Sequence, residues 1–376
     1  MSRPIDRLVR LSLAGYAPYV PGTSADDVRR RYPGLQIVKL SQNENPLGSS
    51  PLALAALAGV EAYNDYVEDE YAELRGRLGD VYGFGLDRVL MGHGSNEILM
   101  LLFQTFVDPG DEVVMATPSF SLFKKDAIVA GALAVEVPLR DGVHDLDAML
   151  RAVSPRTKLV FVCDPNNPTG TRVDRAALER FAAALPQDVL LVLDQAYFEY
   201  MDAGRCDGVD ILRSRPATIV LRTFSKVYGL AALRFGYAYG SADAISWLWR
   251  VRLPFNVSRS AAVAAAAALD DRDFVARSVF VNEEGKRYFA AEFARLGLFA
   301  YPTAANFVAV AVPVPAEEAY AALLRRGVIV RSGHSLGMPK FLRVTIGTPH
   351  ENRAFVRELE ALLEQWRAAL PAGAAR

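Results

Sequence analysis

The stretch TKLVFVCDPNNPTG, residues 157–170, joins a continuous apolar run to a tight turn with two prolines and a glycine. An apolar run without polar alternation is typical of a strand that is buried on both faces of a sheet. The prolines and the glycine then end the strand. Similar runs recur between Arg88 and Gly240, where segments with helical periodicity separate them. This pattern predicts an α/β fold with a mainly parallel sheet.

A second and smaller unit is predicted after this sheet. Long helical patterns dominate from Ser258 to Leu296, and short strands then alternate with helices. We therefore divide the chain into an N-terminal segment of residues 1–50, a large α/β domain of residues 51–255 and a small α+β domain of residues 256–376. The N-terminal segment has no strong strand series, so we expect it to join the small domain or to contact a partner subunit.

The composition excludes several classes of function. The net charge of -1 over 376 residues gives no field that would attract nucleic acid or an anionic membrane. The two cysteines are too few for a disulfide scaffold, which predicts a reduced, cytoplasmic setting. The four histidines are scattered, so we expect no metal site. The N-terminus lacks the apolar core of a signal peptide, and the apolar run at 261–269 is too short to span a bilayer.

Polar or turn residues follow five of the predicted strands. Ligands of open α/β sheets bind beyond the carboxyl ends of the strands, where these residues would converge. A buried core has no need of such residues, so together they predict one binding site. The five segments are HGSNE, TPSF, DPNNPTG, QAYFEY and RTFSK.

Asp194 ends the strand DVLLVLD, and Tyr197 lies three residues further along. A lone aspartate at a strand end is commonly a helix N-cap or a turn residue. A buried aspartate would instead face a cation, and the ring nitrogen of pyridoxal 5'-phosphate (PLP) is such a cation. Tyr197 is either an amphipathic core residue or a hydrogen-bond partner of the ring oxygen of this cofactor.

The segment TFSKVYGLAALR, residues 223–234, carries Lys226 and Arg234 among apolar and hydroxylated residues. A lysine at a strand end is usually solvated, but a desolvated lysine loses its proton more easily and becomes a nucleophile. Such an amine would form a Schiff base with the aldehyde of PLP. Arg234 keeps its charge and offers a planar fork to phosphate oxygens, with hydroxyls from Thr223 and Ser225 beside it.

Other strand ends would complete a cofactor site. Ser95 and Asn96 in GHGSNE form either a plain N-cap or a second phosphate contact at a helix start. Asn167 in DPNNPTG is either a turn residue or a partner of the ring oxygen. Phe120 in TPSF is either a core residue or a stacking surface for the ring.

Two arginines are candidates for binding an anionic substrate. Arg343 lies inside the predicted strand FLRVTIG, and Arg331 lies in VIVRSG. An arginine within a strand is unusual unless it points into a cleft, where a bidentate pair with a carboxylate would use it. An exposed position on an edge strand is the alternative for both residues.

The sequence resembles the fold-type I, class I/II PLP-dependent aminotransferases over about residues 16 to 363. Within that family, three motifs point to the histidinol-phosphate group: NENPLG, PFNVS and RVTIGTPHEN. The motifs that carry the wider resemblance are KLSQNENPLGSSP, YVEDEYAELR, GHGSNE, TPSFSLF, DPNNPTG, LDQAYFEY, TFSKVYGLAALRFGY, LPFNVS, TAANFVAV and FLRVTIGTPHEN.

The resemblance implies a fold and an assembly. Fold-type I enzymes have a large domain with a mostly parallel seven-stranded sheet between helices, together with a smaller α+β domain. Tyr66 matches a tyrosine that reaches the cofactor phosphate from the neighbouring subunit, so a homodimer is implied.

The resemblance also implies roles for the candidate residues. Lys226 would carry PLP and later move the α-proton, with Asp194 at the ring nitrogen and Arg343 at the carboxylate of glutamate. Three further positions would contact the substrate, namely Tyr19, Asn43 and Arg331.

The implied reaction is a ping-pong transamination between glutamate and imidazole-acetol phosphate, which yields 2-oxoglutarate and histidinol phosphate in histidine biosynthesis. An aromatic aminotransferase of the same branch is the nearest alternative. A PLP-dependent decarboxylase of a phosphorylated amino acid is a second alternative. A PLP-sensing regulator is a third, and the near-zero net charge disfavours its binding to DNA.

Overall fold

The computed structural model describes residues 8–13, 16, 22–68 and 70–369. The strands in these ranges are Val38–Lys39 (β1), Val89–His93 (β2), Glu112–Thr117 (β3), Leu133–Pro138 (β4), Thr157–Cys163 (β5), Leu190–Asp194 (β6), Thr218–Thr223 (β7), Phe235–Tyr239 (β8), Phe307–Ala311 (β9), Val328–Ile329 (β10), Arg331–Ser332 (β11) and Phe341–Thr345 (β12). The helices are Ala25–Arg31 (α1), Pro51–Ala58 (α2), Ala72–Asp80 (α3), Ser95–Phe106 (α4), Ser121–Ala130 (α5), Leu146–Arg151 (α6), Arg175–Ala184 (α7), Gly208–Ser214 (α8), Ala242–Val251 (α9), Arg259–Asp270 (α10), Arg272–Arg295 (α11), Ala316–Leu324 (α12) and Pro349–Ala369 (α13).

The large sheet has seven strands in the order β2-β8-β7-β6-β5-β3-β4. Only β8 runs antiparallel to its neighbours, and the other pairs are parallel. The α/β fold with a mainly parallel seven-stranded sheet is therefore confirmed. Parallel strands need long crossovers, and these crossovers place helices over both faces of the sheet.

The central strands are apolar at successive positions because both of their faces are buried. Side chains alternate between the two faces, so neighbouring residues enter different cores. Val160 and Val162 of β5 pack in the core on one face, whereas Leu159 and Phe161 pack in the core on the other. This double burial explains why the strand lacks the polar alternation of a half-exposed strand.

A three-stranded antiparallel sheet, β11-β12-β9, lies in the C-terminal part of the chain, where β10 also pairs in parallel with β1. The strand Val38–Lys39 of the N-terminal segment thus joins the C-terminal part, with Val38 opposite Val328. Phe289 of α11 stacks on Phe293 at a centroid distance of 5.3 Å and meets Phe355 of α13 edge-on. The domain boundaries at residues 50 and 255 stay a prediction.

None of the helices in the described part of the chain is both long and apolar enough to cross a membrane.

The aromatic stack on β5 should dominate the stability of the large sheet. Phe161 is fully buried and stacks on Phe123 at 4.5 Å and on Phe103 at 5.6 Å. We expect Phe161→Ala to lower the free energy of unfolding by about 3–5 kcal/mol, because it leaves a cavity between the helices and the sheet. Urea denaturation, monitored by fluorescence, measures this change in the free energy of unfolding. Lys158→Ala, at an exposed position of the same strand, should change it by less than about 0.5 kcal/mol, and equal effects would contradict the argument.

Candidate active site

One cavity at the carboxyl ends of the parallel strands collects the predicted residues. It is lined by Asn43, Ser95, Asn96, Phe120, Asn167, Asp194, Tyr197, Thr223, Ser225, Lys226, Arg234, Arg331 and Arg343. Among the described residues, the predicted Tyr66 is not part of this lining. Tyr66 is 81% exposed and stacks on Phe255 with ring centroids 4.6 Å apart. Tyr19 lies outside the described residues.

Asp194 is the last residue of β6, and its side chain is buried. The backbone N–H of Ala196 donates to its Oδ1 at 3.1 Å. Burial raises the pKa of the Asp194 carboxyl to about 6, even though this hydrogen bond and the charge of Lys226 act in the opposite direction. A carboxylate in this position would be stabilised by a cation that enters the cavity.

Lys226 follows β7 by three residues and enters the same cavity. Its Nζ donates to the backbone carbonyls of Gln42 at 3.2 Å and Asn43 at 3.3 Å. Burial and the neighbouring Arg343 guanidinium lower the pKa of the Lys226 amine to about 8. The amine is therefore far more often neutral near pH 7 than an ordinary lysine, as a nucleophile or a base requires.

Tyr197 holds a central position between two amides. Its hydroxyl oxygen accepts hydrogen bonds from Nδ2 of Asn43 at 2.9 Å and from Nδ2 of Asn167 at 3.4 Å. Burial raises the pKa of Tyr197 to about 12, so the phenol keeps its proton. With both lone pairs used as acceptors, the hydroxyl has its proton to donate to a ligand. The Nζ of Lys226 lies 5.7 Å from the centroid of the Tyr197 ring.

An anion-binding site is built where β2 leads into α4. The first N–H groups of a helix have no partner within the helix and attract anions. Ser95 and Asn96 begin α4, and Arg234 lies against the preceding Gly94. A Cβ on Gly94 would lie 2.5 Å from Nη2 of Arg234, and the φ of 73° at Gly94 also favours glycine. Nη1 of Arg234 donates to Oγ of Ser225 at 3.4 Å, and both residues line the cavity.

Thr223 lines the cavity but also braces the loop. Its hydroxyl donates to the carbonyl of Phe235 at 3.3 Å and accepts from the N–H of Ser225 at 3.1 Å. Phe120, which was predicted to stack on a ring, is half-buried and meets Phe123 edge-on at 5.5 Å. The structure brings both residues to the cavity, and their contacts with a ligand stay predictions.

Arg331 and Arg343 are directly opposite each other on β11 and β12. Like charges at opposite positions of neighbouring strands destabilise the pairing unless an anion lies between them or beside them. Arg343 is held by Oδ1 of Asn167 and by the carbonyl of Ser41, both at 2.8 Å. The pair therefore forms a cationic wall that can bind two anionic groups.

Several lining residues were missed by the sequence analysis, namely Gly22, Ser41, Gln42, Cys163 and Ala196. Three of them belong to the N-terminal segment, whose sequence has no strand series from which its position could be read. Cys163 ends β5 directly opposite Asp194 of β6, so aligning the carboxyl ends of the two predicted strands would have found it. Groups of three or more histidine, cysteine or acidic residues suited to a metal ion are absent from the described ranges.

Comparisons with known proteins agree with this geometry. The family profile described as "Aminotransferase class I and II" matches residues 36–359. The chain belongs to this family of enzymes.

Particular relatives narrow the comparison. The chain is 44% identical to a histidinol-phosphate aminotransferase of Brevibacillus brevis over 92% of this chain and 95% of that protein. It is 45% identical to the histidinol-phosphate aminotransferase of Moorella thermoacetica over 94% of this chain and 92% of that protein. Among solved structures, it is similar to histidinol-phosphate aminotransferase from Sinorhizobium meliloti in complex with pyridoxal-5'-phosphate. That match has a TM-score of 0.86 and 27% identity, and it covers 95% of this chain and 98% of the other.

The acidity of Lys226 is open to direct measurement. We expect acetic anhydride to label Lys226 with a half-maximal rate at about pH 8, roughly two units below an ordinary lysine. Arg343→Gln should raise this midpoint, because the variant removes a nearby positive charge. Competitive labelling followed by peptide mass spectrometry gives both values. A midpoint for Lys226 that matches the typical lysine value would refute the desolvation argument.

Proposed function

We propose that the protein is a PLP-dependent aminotransferase that acts on glutamate and imidazole-acetol phosphate. The products are 2-oxoglutarate and histidinol phosphate, and the two half-reactions alternate at one site. The observation that supports this best is the grouping of a neutralisable amine, a buried carboxylate and an anion cradle beside two paired arginines. The similarity to histidinol-phosphate aminotransferases supports histidinol phosphate as a product, and the family resemblance supplies glutamate as the amino donor.

The side chains and backbone groups in the cavity match the phosphate and the ring nitrogen of PLP. The start of α4, with Ser95, Asn96, Ser225 and Arg234, suits a phosphate. The buried carboxylate of Asp194 suits a protonated ring nitrogen, since a cation would relieve the penalty that raises its pKa. When bound, PLP supplies an aldehyde that condenses with amines and a protonated ring that accepts electrons from the α-carbon.

The side chains around the ring would orient the cofactor. Tyr197 would donate its proton to the ring oxygen, and Asn167 would help to hold that oxygen. Phe120 would cover one face of the ring. Asn167 also connects Tyr197 to Arg343 through its amide, so a ligand on the arginine and the ring contacts are mechanically linked.

Lys226 would act both as the attachment point and as the acid–base group. The carbonyls of Gln42 and Asn43 hold the free amine within the cavity. The lowered pKa of this amine keeps a fraction neutral near pH 7. Nζ could therefore take the α-proton of the substrate and hold it for return later in the reaction.

The cationic wall would bind the anionic groups of both substrates, the two carboxylates of glutamate and the phosphate of imidazole-acetol phosphate. Arg343 is buried and fixed by two acceptors, which suits a bidentate pair with the α-carboxylate of glutamate. Arg331 is half-buried and would bind the side group, which is the phosphate of one substrate and the distal carboxylate of the other. Asn43 and Tyr19 are proposed to assist, and the role of Tyr19 rests on the family resemblance.

We infer that the enzyme works as a homodimer in the cytoplasm. Tyr66 is exposed together with Tyr63, Leu253 and Phe255, and such apolar side chains suit a partner surface. From this face Tyr66 would reach the phosphate of PLP in the partner subunit. The two cysteines are free and buried, which suits a reducing compartment.

A half-reaction screen tests the proposed substrate. The enzyme is loaded with pyridoxamine phosphate and mixed with imidazole-acetol phosphate or phenylpyruvate, and the recovery of the aldehyde absorbance is followed. We expect imidazole-acetol phosphate to react faster, because its phosphate would bind to Arg331. Faster recovery with phenylpyruvate would favour the aromatic aminotransferase instead.

Lys226→Ala should lower turnover by at least about 100-fold, while Lys158→Ala should not change it.

The contribution of the partner subunit is tested at Tyr66. Tyr66→Phe keeps the ring that stacks on Phe255 and removes only the hydroxyl. We expect the dissociation constant for PLP to rise about tenfold, as the loss of a hydrogen bond to a charged group implies. A spectrophotometric titration measures it, with Tyr63→Phe as the control. An unchanged constant, or a monomer in sedimentation, would argue against a contribution from the partner.

A further inference from the structure

Gln42 lines the active-site cavity, and its backbone and its side chain make different contacts. Its carbonyl oxygen accepts from Nζ of Lys226 at 3.2 Å, so the backbone touches the reacting amine. The residue as a whole is exposed. A residue in this position lies alongside any substrate that extends away from Lys226.

Lys39 orients the side-chain amide of Gln42. Nζ of Lys39 lies 3.4 Å from Oε1 of Gln42 and 2.8 Å from Oε1 of Glu44. An ammonium group only donates hydrogen bonds, so it takes the oxygen end of the amide and directs the NH₂ end elsewhere. The same lysine forms a salt bridge with Glu44, and its positive charge compensates the carboxylate that lies nearest to Gln42 in the sequence.

The NH₂ end of Gln42 lies near Arg331. The two nitrogens border one small space beside Gly22, where a Cβ would lie 3.4 Å from Nη1 of Arg331 and 3.7 Å from Nε2 of Gln42. Both nitrogens are donors, and the guanidinium carries a permanent charge. Two donors that border one space favour an oxygen anion there, and a glycine at position 22 keeps the space open.

We propose that Gln42 is a specificity-determining residue that donates from Nε2 to the phosphate of the keto substrate, beside Arg331. The assignment rests on the proposed function, because it concerns the side-group end of the same substrate. The reacting carbon of the bound substrate would lie at Lys226, whose amine donates to the carbonyl of Gln42. The phosphate end of the same substrate would lie at Nε2 of Gln42 and at Arg331. Phenylpyruvate carries its only anion as a carboxylate directly on the keto carbon and has no phosphate that could extend to Nε2, so Gln42 favours the phosphorylated substrate.

Two substitutions separate the amide donor from the shape of the side chain. Gln42→Met has a similar length but no donor. Gln42→Glu has the same shape and keeps an acceptor for Lys39, but it replaces the donor with a negative charge. Gln187→Met, at an exposed position outside the cavity, is the matched control.

The experiment uses the cofactor-loaded enzyme at saturating glutamate, which supplies the pyridoxamine form that reacts with the keto substrate, and the cofactor's phosphate then already occupies its own site. Inorganic phosphate is measured as a competitive inhibitor of the keto substrate, and KM and kcat are measured for imidazole-acetol phosphate and phenylpyruvate. We expect Gln42→Met to raise the KM for imidazole-acetol phosphate and the inhibition constant of phosphate about tenfold, the loss of one hydrogen bond to a charged group. Gln42→Glu should raise this KM and this inhibition constant further. The KM and kcat for phenylpyruvate should change by less than about twofold, because this compound has no phosphate that could lose a hydrogen bond.

Unchanged phosphate inhibition and unchanged KM in both variants, together with weaker binding in Arg331→Gln, would overturn the assignment. Equal losses for phenylpyruvate and imidazole-acetol phosphate would also overturn it, since they would indicate a general disturbance of the segment. A wild-type enzyme that does not use imidazole-acetol phosphate would refute the proposed function alone. The inhibition by inorganic phosphate would then still decide whether Gln42 belongs to an anion site.

Discussion

Two ionisable groups of opposite sign, the buried Asp194 and the half-buried Lys226, are shielded from water at the ends of neighbouring parallel strands, and the chemistry of the site depends on this desolvation. Burial raises the pKa of Asp194 and lowers the pKa of Lys226, so the same physical cause disfavours the charged form of each. The parallel pairing of β6 and β7 places both groups at one edge of the sheet. A site with this property is prepared for a ligand that brings a cation to the carboxylate and an electrophile to the amine.

The segment from Ser41 to Asn43 connects this pair to the C-terminal sheets. Its carbonyls accept from Arg343 and from Lys226, and the side chain of Asn43 donates to Tyr197. The N–H of Asn43 donates to Oγ1 of Thr345 on β12. The amine and the substrate-binding arginine are thus held by one short piece of backbone, so a movement of that piece alters both.

Close backbone approach is the other condition for the site. Gly236 on β8 faces the start of α4, and a Cβ there would lie 2.4 Å from the backbone nitrogen of Ser95. Any larger residue would push the helix start away from the strand and from Arg234. The strength of the anion cradle therefore comes from two glycines, Gly94 and Gly236, as much as from the residues that carry the charge and the hydroxyls.

The amino-acid sequence alone determined the α/β class and the residue types at the strand ends, because buried parallel strands leave continuous apolar runs that stop at recognisable turns. Asp194, Lys226 and Arg234 were identifiable because their neighbours in the chain predict burial or a turn. The position of Gln42, the pairing of Arg331 with Arg343 and the exposure of Tyr66 were decided only by the tertiary structure. These features depend on contacts between distant parts of the chain, and local patterns of hydrophobicity carry no information about such contacts.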